Sequence, residues 1–384
     1  MAEDRITVED IKALAVHEDS WCLSLYMPSH RETTYAEEDR LRFKNLLKKA
    51  ETQLEEIFKG NRKPSMGPAE EVQADRKFWQ NQSDGLALFL APDFFHSYRL
   101  PFSVPEVVMV SRRFHIKPLL PLVSADGRFS VLAISQNQVS LLDCTKFECA
   151  EVDLPGVPRS LAEALKYDDP ERQLQFHTGT PSRVTGKRAA VFHGQGVGTD
   201  DSEDRLLRFC RMVNKSLQPV IPNRDAPMVL AAVDKVAAEF RRVNTVFTIT
   251  DGEIRGNPDE TPPQNLHDKA REIVEPLFRE EQEQHRRRHD DLLGTGLSSS
   301  NVEEVVRGSH RGRVDVLFVA VGTQVWGRYD AEADALEYSE SPQGDMYDLL
   351  DFAAAHTLIH GGVVHATDPS QVPGDGPIAA IFRY

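Results

Sequence analysis

Residues 189–201 have the sequence AAVFHGQGVGTDD, and the rest of the chain is organised around this stretch. A short apolar run predicts a strand that enters it. The alternating glycines of Gly194–Gly198 give the backbone access to positive φ and remove the Cβ atoms that would keep another molecule away. From Asp200 onward the pattern predicts a helix. The sequence therefore predicts a loop with Gln195 near its tip, which either holds a ligand or is inserted into a partner.

The helix predicted after the loop begins with Asp200 and Glu203 in capping-box spacing. Its apolar positions lie on one face, at Leu206, Cys210, Val213 and Leu217. A phosphate-binding loop would leave the helix N-terminus free of negative charge, but four carboxylates occupy residues 200–204. The glycine spacing also lacks the third glycine of the dinucleotide-binding fingerprint. Phosphate binding is therefore disfavoured.

The same carboxylates offer a weaker alternative, a metal-dependent nuclease in which Asp200, Asp201 and Glu203 hold Mg²⁺. Helix capping accounts for these residues equally well. His285 and His289 have the spacing of zinc ligands on one helix face, but three arginines separate them and would repel a cation. A solvated face is the preferred interpretation of that segment. We therefore expect no metal and no cofactor.

Three further histidines surround a glycine pair, at His356, His360 and His365. No nucleophile lies near them in sequence, and the chain has no GxSxG elbow. They are interpreted as hydrogen-bonded or partly exposed side chains. A conventional hydrolase pocket is not predicted.

The composition limits the class of protein. A chain of 384 residues predicts two to four domains, and its net charge of −15 disfavours a simple nucleic-acid binder. Basic residues nevertheless precede the loop at Arg183, Lys187 and Arg188, whereas the run Arg286–Arg288 is interpreted as a solvated face. The four cysteines are scattered, no apolar run reaches ~20 residues, and the N-terminus lacks signal-peptide features. These features predict a cytoplasmic protein.

Turn signals and periodicity predict an α/β and α+β multidomain protein, with domains at 1–124, 125–272 and 273–384. The first domain is predicted to contain helices Thr7–Ala15 and Ala36–Phe58 and strands Trp21–Met27, Gly85–Leu90, Phe95–Leu100 and Val107–Val110. The second is predicted to contain strands Phe129–Ile134, Gln138–Cys144, Phe147–Val152, Met228–Val233 and Val243–Thr250, the last two flanking a helix. The third is predicted to contain helix Asp345–His360 ended by Gly361-Gly362, and strands Val314–Val321, Val363–Ala366 and Pro377–Phe382. A helical stretch around Leu266–Leu293 joins the last two domains, and Ser300 and Glu303 are predicted to form a capping box.

With three α/β units and the loop in the middle one, the chain resembles the archaeo-eukaryotic class-1 peptide-chain release factors and their relative Pelota. It is most similar to the bacterial proteins of the archaeo-eukaryotic release factor family. The order of several segments along the chain supports this resemblance. The segments similar to N-domain strands are Gly85–Leu90, Leu100–Phe102 and Phe114–Leu119. The segments similar to the middle and C-terminal domains follow them, at Phe129–Val152, Gly294–Leu297 and Asn301–Val319.

The resemblance implies a ribonuclease-H-like middle domain and a C-terminal α/β sandwich like that of kink-turn-binding ribosomal proteins. The family's catalytic Gly-Gly-Gln signature corresponds to His193-Gly194-Gln195, followed by Gly196, so histidine replaces the first glycine. In the family, this loop enters the peptidyl-transferase centre. The glutamine there helps to place a water molecule against the ester that joins the nascent peptide to tRNA.

The resemblance thus implies a ribosome-associated protein that hydrolyses peptidyl-tRNA or rescues ribosomes, with the ribosome, ribosomal RNA and peptidyl-tRNA as partners and a partner protein at the C-terminal domain. Arg183, Lys187 and Arg188 would guide the loop along RNA. The Asn-Ile-Lys-Ser motif of stop-codon readers is not recognised, so action independent of a stop codon is expected. The alternative from a different class is a non-catalytic ribosome or RNA binder in translation regulation.

Overall fold

The computed structural model of the protein describes residues 6–58, 64–123, 127–168, 197–342 and 346–384. The α-helices of this part of the chain are α1 (Val8–Val16), α2 (Ala36–Phe58), α3 (Gly67–Ala74), α4 (Arg76–Trp79), α5 (Leu120–Val123), α6 (Leu161–Asp168), α7 (Val197–Leu217), α8 (Asp234–Val243), α9 (Pro263–Asp291), α10 (Val302–His310) and α11 (Leu349–Ile359). The strands are β1 (Glu18–Pro28), β2 (Gly85–Ala91), β3 (Phe94–Leu100), β4 (Val107–Arg113), β5 (Phe129–Ile134), β6 (Val139–Cys144), β7 (Cys149–Glu151), β8 (Met228–Ala232), β9 (Ile249–Arg255), β10 (Ser298–Ser299), β11 (Val314–Ala320), β12 (Trp326–Asp330), β13 (Ala335–Tyr338), β14 (Tyr347–Asp348), β15 (Val363–Thr367) and β16 (Ile378–Phe382).

Within these residues the protein is a mixed α/β chain with four sheets. Its contacts divide it into two compact units: unit 1 is Met1–Gly127 with Arg279–Tyr384, and unit 2 is Arg128–Phe278. The regions predicted as the first and third domains therefore lie largely in one compact unit. The division into three domains stays a prediction.

The first sheet of unit 1 is antiparallel, with the strand order β3-β2-β1-β4. The predicted helix Ala36–Phe58 is confirmed, and it packs with α3 and α4 over one face of this sheet. Phe43 of α2 and Trp79 of α4 contact each other there, with ring centroids 5.2 Å apart. Strand β1 is longer than predicted, and all its residues from Trp21 to Met27 are buried, so both faces of the sheet are covered.

The C-terminal part of unit 1 contains the sheet β10-β16-β11-β15, in which β11 pairs antiparallel with β16 and parallel with β15. Helix α11 packs on this sheet and ends where the glycine pair predicts, because Gly361 has φ of 72°. Its start is four residues later than predicted, at Leu349, because the carboxylate of Asp348 accepts a hydrogen bond from the Leu350 amide at 3.1 Å and caps it. The small sheet β13-β12-β14 was not predicted.

Phe114–Leu119 does not form the strand that the family resemblance implies. A 3₁₀ helix spans Lys117–Leu119, with Pro118 inside it, and α5 follows. The backbone amides of Ile116 and Lys117 donate to the carboxylate of Asp351 at 2.8 and 2.5 Å. Pro118 has no N–H to donate to a neighbouring strand, and the amides of Ile116 and Lys117 donate to the carboxylate of Asp351 instead of to a strand.

A buried ion pair lies beside this turn. The ammonium group of Lys117 donates to the carboxylate of Asp348 and to the Thr323 carbonyl, with the two ionic side chains 3% and 0% exposed. The carboxylate of Asp348 also accepts from the Val325 amide at 3.1 Å, in addition to capping α11. We call Lys117, Asp348 and Asp351 the Lys117 junction, because they bond the segment after β4 to α11 within unit 1.

Unit 2 is built on one five-stranded sheet with the order β7-β6-β5-β8-β9. The first three strands form the antiparallel meander that the sequence predicts, and β5, β8 and β9 are parallel. Residues of α6, α7 and α8 pack on one face of the sheet, and residues of α9 pack on the other. The sheet is therefore buried between two helical layers.

Two predicted boundaries need correction. The strand expected at Val243–Thr250 begins only at Ile249, because Val243 ends α8 and the Asn244 side chain accepts from the Phe247 amide at 2.9 Å. The capping residue of α10 is Asn301 rather than Ser300, since its side chain accepts from the amides of Glu303 and Glu304. The predicted Thr7–Asp10 capping box of α1, in contrast, is confirmed.

Candidate functional site

The predicted loop lies between two helices of unit 2. All of its predicted site residues fall outside the described residues: catalytic Gly194, Gln195, Gly196 and His193, and RNA-binding Arg183, Lys187 and Arg188. The described chain stops at the end of α6 and resumes at the start of α7. These two helices contact each other on the same face of the sheet. Helices α6 and α7, which precede and follow the predicted site in sequence, therefore share one hydrophobic core.

Helix α7 is anchored by the apolar face that the sequence predicts. Leu206, Cys210, Val213 and Leu217 are buried, and Phe209 joins them at 1% exposure. The helix begins at Val197, three residues before the predicted start, so Asp200 lies within its first turn rather than capping it. Burial raises the pKa of Cys210 to about 12, so its thiol is protonated and is no nucleophile.

Of the carboxylates proposed as metal ligands, Glu203 is the one whose side chain the structure describes. Glu203 pairs with the ammonium group of Lys235 at 2.9 Å, and both side chains are more than half exposed. No group of three or more histidine, cysteine, aspartate or glutamate side chains among the described residues is placed to hold a metal ion. The side chains of Asp200 and Asp201 lie outside the description.

The interpretation of His285 and His289 as a solvated face is wrong. His289 is fully buried, and Nδ1 of His285 lies 2.8 Å from Nε2 of His365, which is also fully buried. Their part of α9 faces the C-terminal sheet of unit 1, where the ring of His365 stacks on Phe318. The arginine run between them does match the predicted solvated face, since Arg286, Arg287 and Arg288 form ion pairs with Glu283 or Asp315.

His356 has a partner that sequence analysis missed. Nη1 of Arg113, at the end of β4, lies 2.9 Å from Nε2 of His356. A guanidinium can only donate, so Nε2 accepts and the imidazole is neutral. Burial, followed by the charge of Arg113, lowers the pKa of His356 to about 3. The two residues are 243 positions apart, and no local pattern connects them.

This histidine makes the stability of the protein depend on pH. The pKa of His356 is about 3 in the folded protein, compared with the ordinary histidine value of 6.5 in the unfolded chain. Between pH 3 and pH 6.5, unfolding is therefore accompanied by the uptake of a proton. We expect the free energy of unfolding to fall as the pH drops from about 6.5 toward about 3. In His356→Gln this slope should be smaller by up to about 1.4 kcal/mol per pH unit. Urea unfolding at several pH values measures this slope of the free energy of unfolding against pH. His96→Gln, which removes an exposed histidine, is the control, and an unchanged slope in His356→Gln would contradict the assignment.

The middle of the chain defines a release-factor-like class of protein. Residues 129–276, which include the predicted loop and nearly all of unit 2, match the model of Bacterial archaeo-eukaryotic release factor family 7. Over this region the chain is similar to that family, and the resemblance predicted from the sequence is confirmed. None of the curated proteins matches the chain.

Several solved structures are similar to the chain at low identity. An archaeal translation termination factor, aRF1, is 14% identical over 100% of both chains with a TM-score of 0.22. Archaeal Pelota, in a ribosome-bound model with ABCE1, is 10% identical over 99% of this chain and 95% of its own chain, with a TM-score of 0.33. Dom34 of S. cerevisiae, a translation termination-like factor, is 9% identical over 81% of this chain and 82% of its own chain, with a TM-score of 0.34. Such low TM-scores establish neither a shared fold nor a shared activity.

Among the described residues, no helix is both long enough and apolar enough to cross a bilayer.

Proposed function

We propose that this protein acts on the ribosome in the cytoplasm, where it hydrolyses the ester of peptidyl-tRNA without reading a stop codon. Gln195 is the residue that positions the attacking water, and Gly194 and Gly196 allow the loop to approach the ester closely. His193 occupies the position of the family's first glycine. The observation that carries this proposal is the family match over residues 129–276, which contain the loop.

The chemistry requires little from the factor itself. The ribosome binds both the peptide and the tRNA, so the loop has only to hold one water molecule and to offer a hydrogen bond to the developing oxyanion. A glutamine amide does both without titrating. Arg183, Lys187 and Arg188, close to the loop in sequence, supply positive charge for ribosomal RNA on a chain whose net charge is −15.

The architecture of unit 2 supports a ribonuclease-H-like assignment for the middle domain. Numbered along the unit, its strands have the order 3-2-1-4-5, with the first three antiparallel and the last two added in parallel. The C-terminal α/β sandwich is proposed to be like that of ribosomal proteins and to contact a partner protein.

The test is peptide release from purified ribosomes that carry peptidyl-tRNA and no stop codon in the A site. We expect wild-type protein to release the peptide, and Gln195→Ala to be slower by about a hundredfold or more, as when one oxyanion-stabilising donor is removed. Gln264→Ala is the matched control, because Gln264 is an exposed glutamine of unit 2 outside the loop. It should release peptide at the wild-type rate.

Two outcomes would decide against this mechanism. If Gln195→Ala is as active as wild type, Gln195 has no part in hydrolysis. If the wild-type protein sediments with ribosomes in a salt-sensitive manner yet releases no peptide, the protein is a non-catalytic ribosome binder. The replacement of the family's first glycine by His193 is the feature that favours this second function.

A further inference from the structure

Unit 1 contains an open cavity of about 500 Å³. Its wall is formed by the end of β4, by β12 and its following turn, by the last residue of α10 and by α11. The volume lies in the range of ordinary small-molecule sites. All residues that line the cavity belong to unit 1, and none of them is a residue of the predicted loop, so the inference below does not rest on the function proposed above.

Three arginines, Arg112, Arg113 and Arg328, line this cavity. Arg113 is fixed, because it pairs with Glu18, donates to His356 and lies 4.9 Å above the ring of Phe352. Arg328 forms an ion pair at 2.9 Å with the carboxylate of Glu337. Arg112, in contrast, is exposed, and its side chain has no hydrogen bond or ion pair with any described residue. A planar guanidinium of this kind is suited to a phosphate or carboxylate.

Four ring-bearing side chains line the cavity, and we call them the aromatic floor: His310, Tyr329, Tyr347 and Phe352. The ring of Tyr347 is stacked on Phe352 at 5.4 Å and 22°, and the ring of Tyr329 lies 5.9 Å from Phe352. His310 contacts Tyr329 at 5.3 Å. Both tyrosine hydroxyls are already engaged, that of Tyr329 as a donor to Asp334 at 2.8 Å and that of Tyr347 as an acceptor from the Tyr329 amide. The aromatic groups are thus held in place before any ligand binds.

Three carboxylates line the cavity: Glu18, which pairs with Arg113, and Asp330 and Glu332, which come from the end of β12 and the turn after it. The carboxylate of Asp330 accepts from the amides of Glu332 and Ala333 at 2.9 and 3.0 Å and so fixes the turn after β12. The side chain of Glu332 has no partner among the described residues. One cavity therefore presents a guanidinium available for an anion, an aromatic floor, and a carboxylate available for a hydrogen-bond donor.

We infer that this cavity binds a nucleotide, with its phosphate at Arg112, its base against the aromatic floor and a donor group of the base at Glu332. An inorganic anion would leave the aromatic floor unused, and an apolar ligand would bury Arg112 without a partner. A nucleotide satisfies all three features, since arginine binds phosphate, aromatic side chains stack bases, and carboxylates accept from base amino groups. The nucleotide is either free or an unpaired nucleotide of RNA.

The experiment is calorimetric titration of the full-length protein with GMP, with inorganic phosphate and with a four-nucleotide single-stranded RNA. We expect GMP to bind more tightly than phosphate, because only GMP contacts the floor. Arg112→Ala should weaken binding of GMP and RNA by about tenfold or more, the effect of one lost charged hydrogen bond. Glu332→Gln should weaken GMP binding and leave phosphate binding unchanged. The control is Arg287→Ala, an exposed arginine of unit 1 outside the cavity.

Each outcome bears on the inference. RNA that binds at least tenfold more tightly than GMP identifies an RNA strand as the source, and the reverse identifies a free nucleotide. The inference is overturned if neither GMP nor RNA binds, if phosphate binds as tightly as GMP, or if Arg287→Ala weakens binding as much as Arg112→Ala. Tryptophan fluorescence verifies that each variant is folded. Gln195→Ala should bind GMP normally, which separates this test from that of peptide release.

Discussion

Replacing Lys117 with methionine should lower the free energy of unfolding of unit 1 by about 3–5 kcal/mol. The methionine fills much of the same space, but it leaves the carboxylate of Asp348 charged, fully buried and without its cation. Removing one partner of a buried pair is costly because the remaining ion has lost its solvation and gains nothing in return. The Thr323 carbonyl loses its donor as well.

A second substitution tests this explanation. In Lys117→Met with Asp348→Asn the charge is gone, while the asparagine oxygen still accepts from the amides of Val325 and Leu350. We expect the double variant to recover most of the lost stability, since replacing both partners of a buried ion pair is often nearly neutral. The difference between the single and double variants gives the coupling energy of the pair.

Urea unfolding followed by tryptophan fluorescence measures this effect, because all three tryptophans, Trp21, Trp79 and Trp326, belong to unit 1. Arg287→Met is the control, because Arg287 also belongs to unit 1. The side chains of Arg287 and its partner Glu283 are 73% and 47% exposed, so the loss should be at most about 1 kcal/mol. If Lys117→Met costs no more than this control, the Lys117 junction does not stabilise unit 1.

The sequence predicts the elements whose signals are local. The apolar spacing of α2 gives both of its ends correctly, and the Thr7–Asp10 capping box and the glycines after α11 are confirmed because each depends on residues within one turn. The turn at Lys117 could not be predicted in the same way. It is decided by Asp351, which is 234 positions away from Lys117 and reaches it only after folding.

The same distinction applies to the candidate site. The family resemblance depends on a short motif and on the order of segments, and the match over residues 129–276 confirms it. The cavity of unit 1 left no comparable signal, because Arg112, Glu332 and the aromatic floor come from separate parts of the chain. The His285–His365 contact was missed for this reason too, since helical spacing alone cannot show which face of α9 is covered.

Truncation of a core residue of helix α7 should strongly destabilise unit 2. Phe209 is 1% exposed in the core that also contains residues of α6, α8 and the central strands. Phe209→Ala removes a whole ring and leaves a cavity, at an expected cost of about 3–5 kcal/mol. Far-UV circular dichroism in urea should show the loss, while Leu277→Ala, at a position 43% exposed in the same unit, should cost at most about 0.5 kcal/mol.

This substitution also connects packing with activity. Because α7 is the first described element after residues 169–196, a loosened α7 should position the loop less well, and peptide release by Phe209→Ala should fall at temperatures where unit 2 is still folded. Leu277→Ala should release peptide at the wild-type rate. A Phe209→Ala protein that has lost the expected stability but releases peptide normally would show that the packing of α7 does not position Gln195.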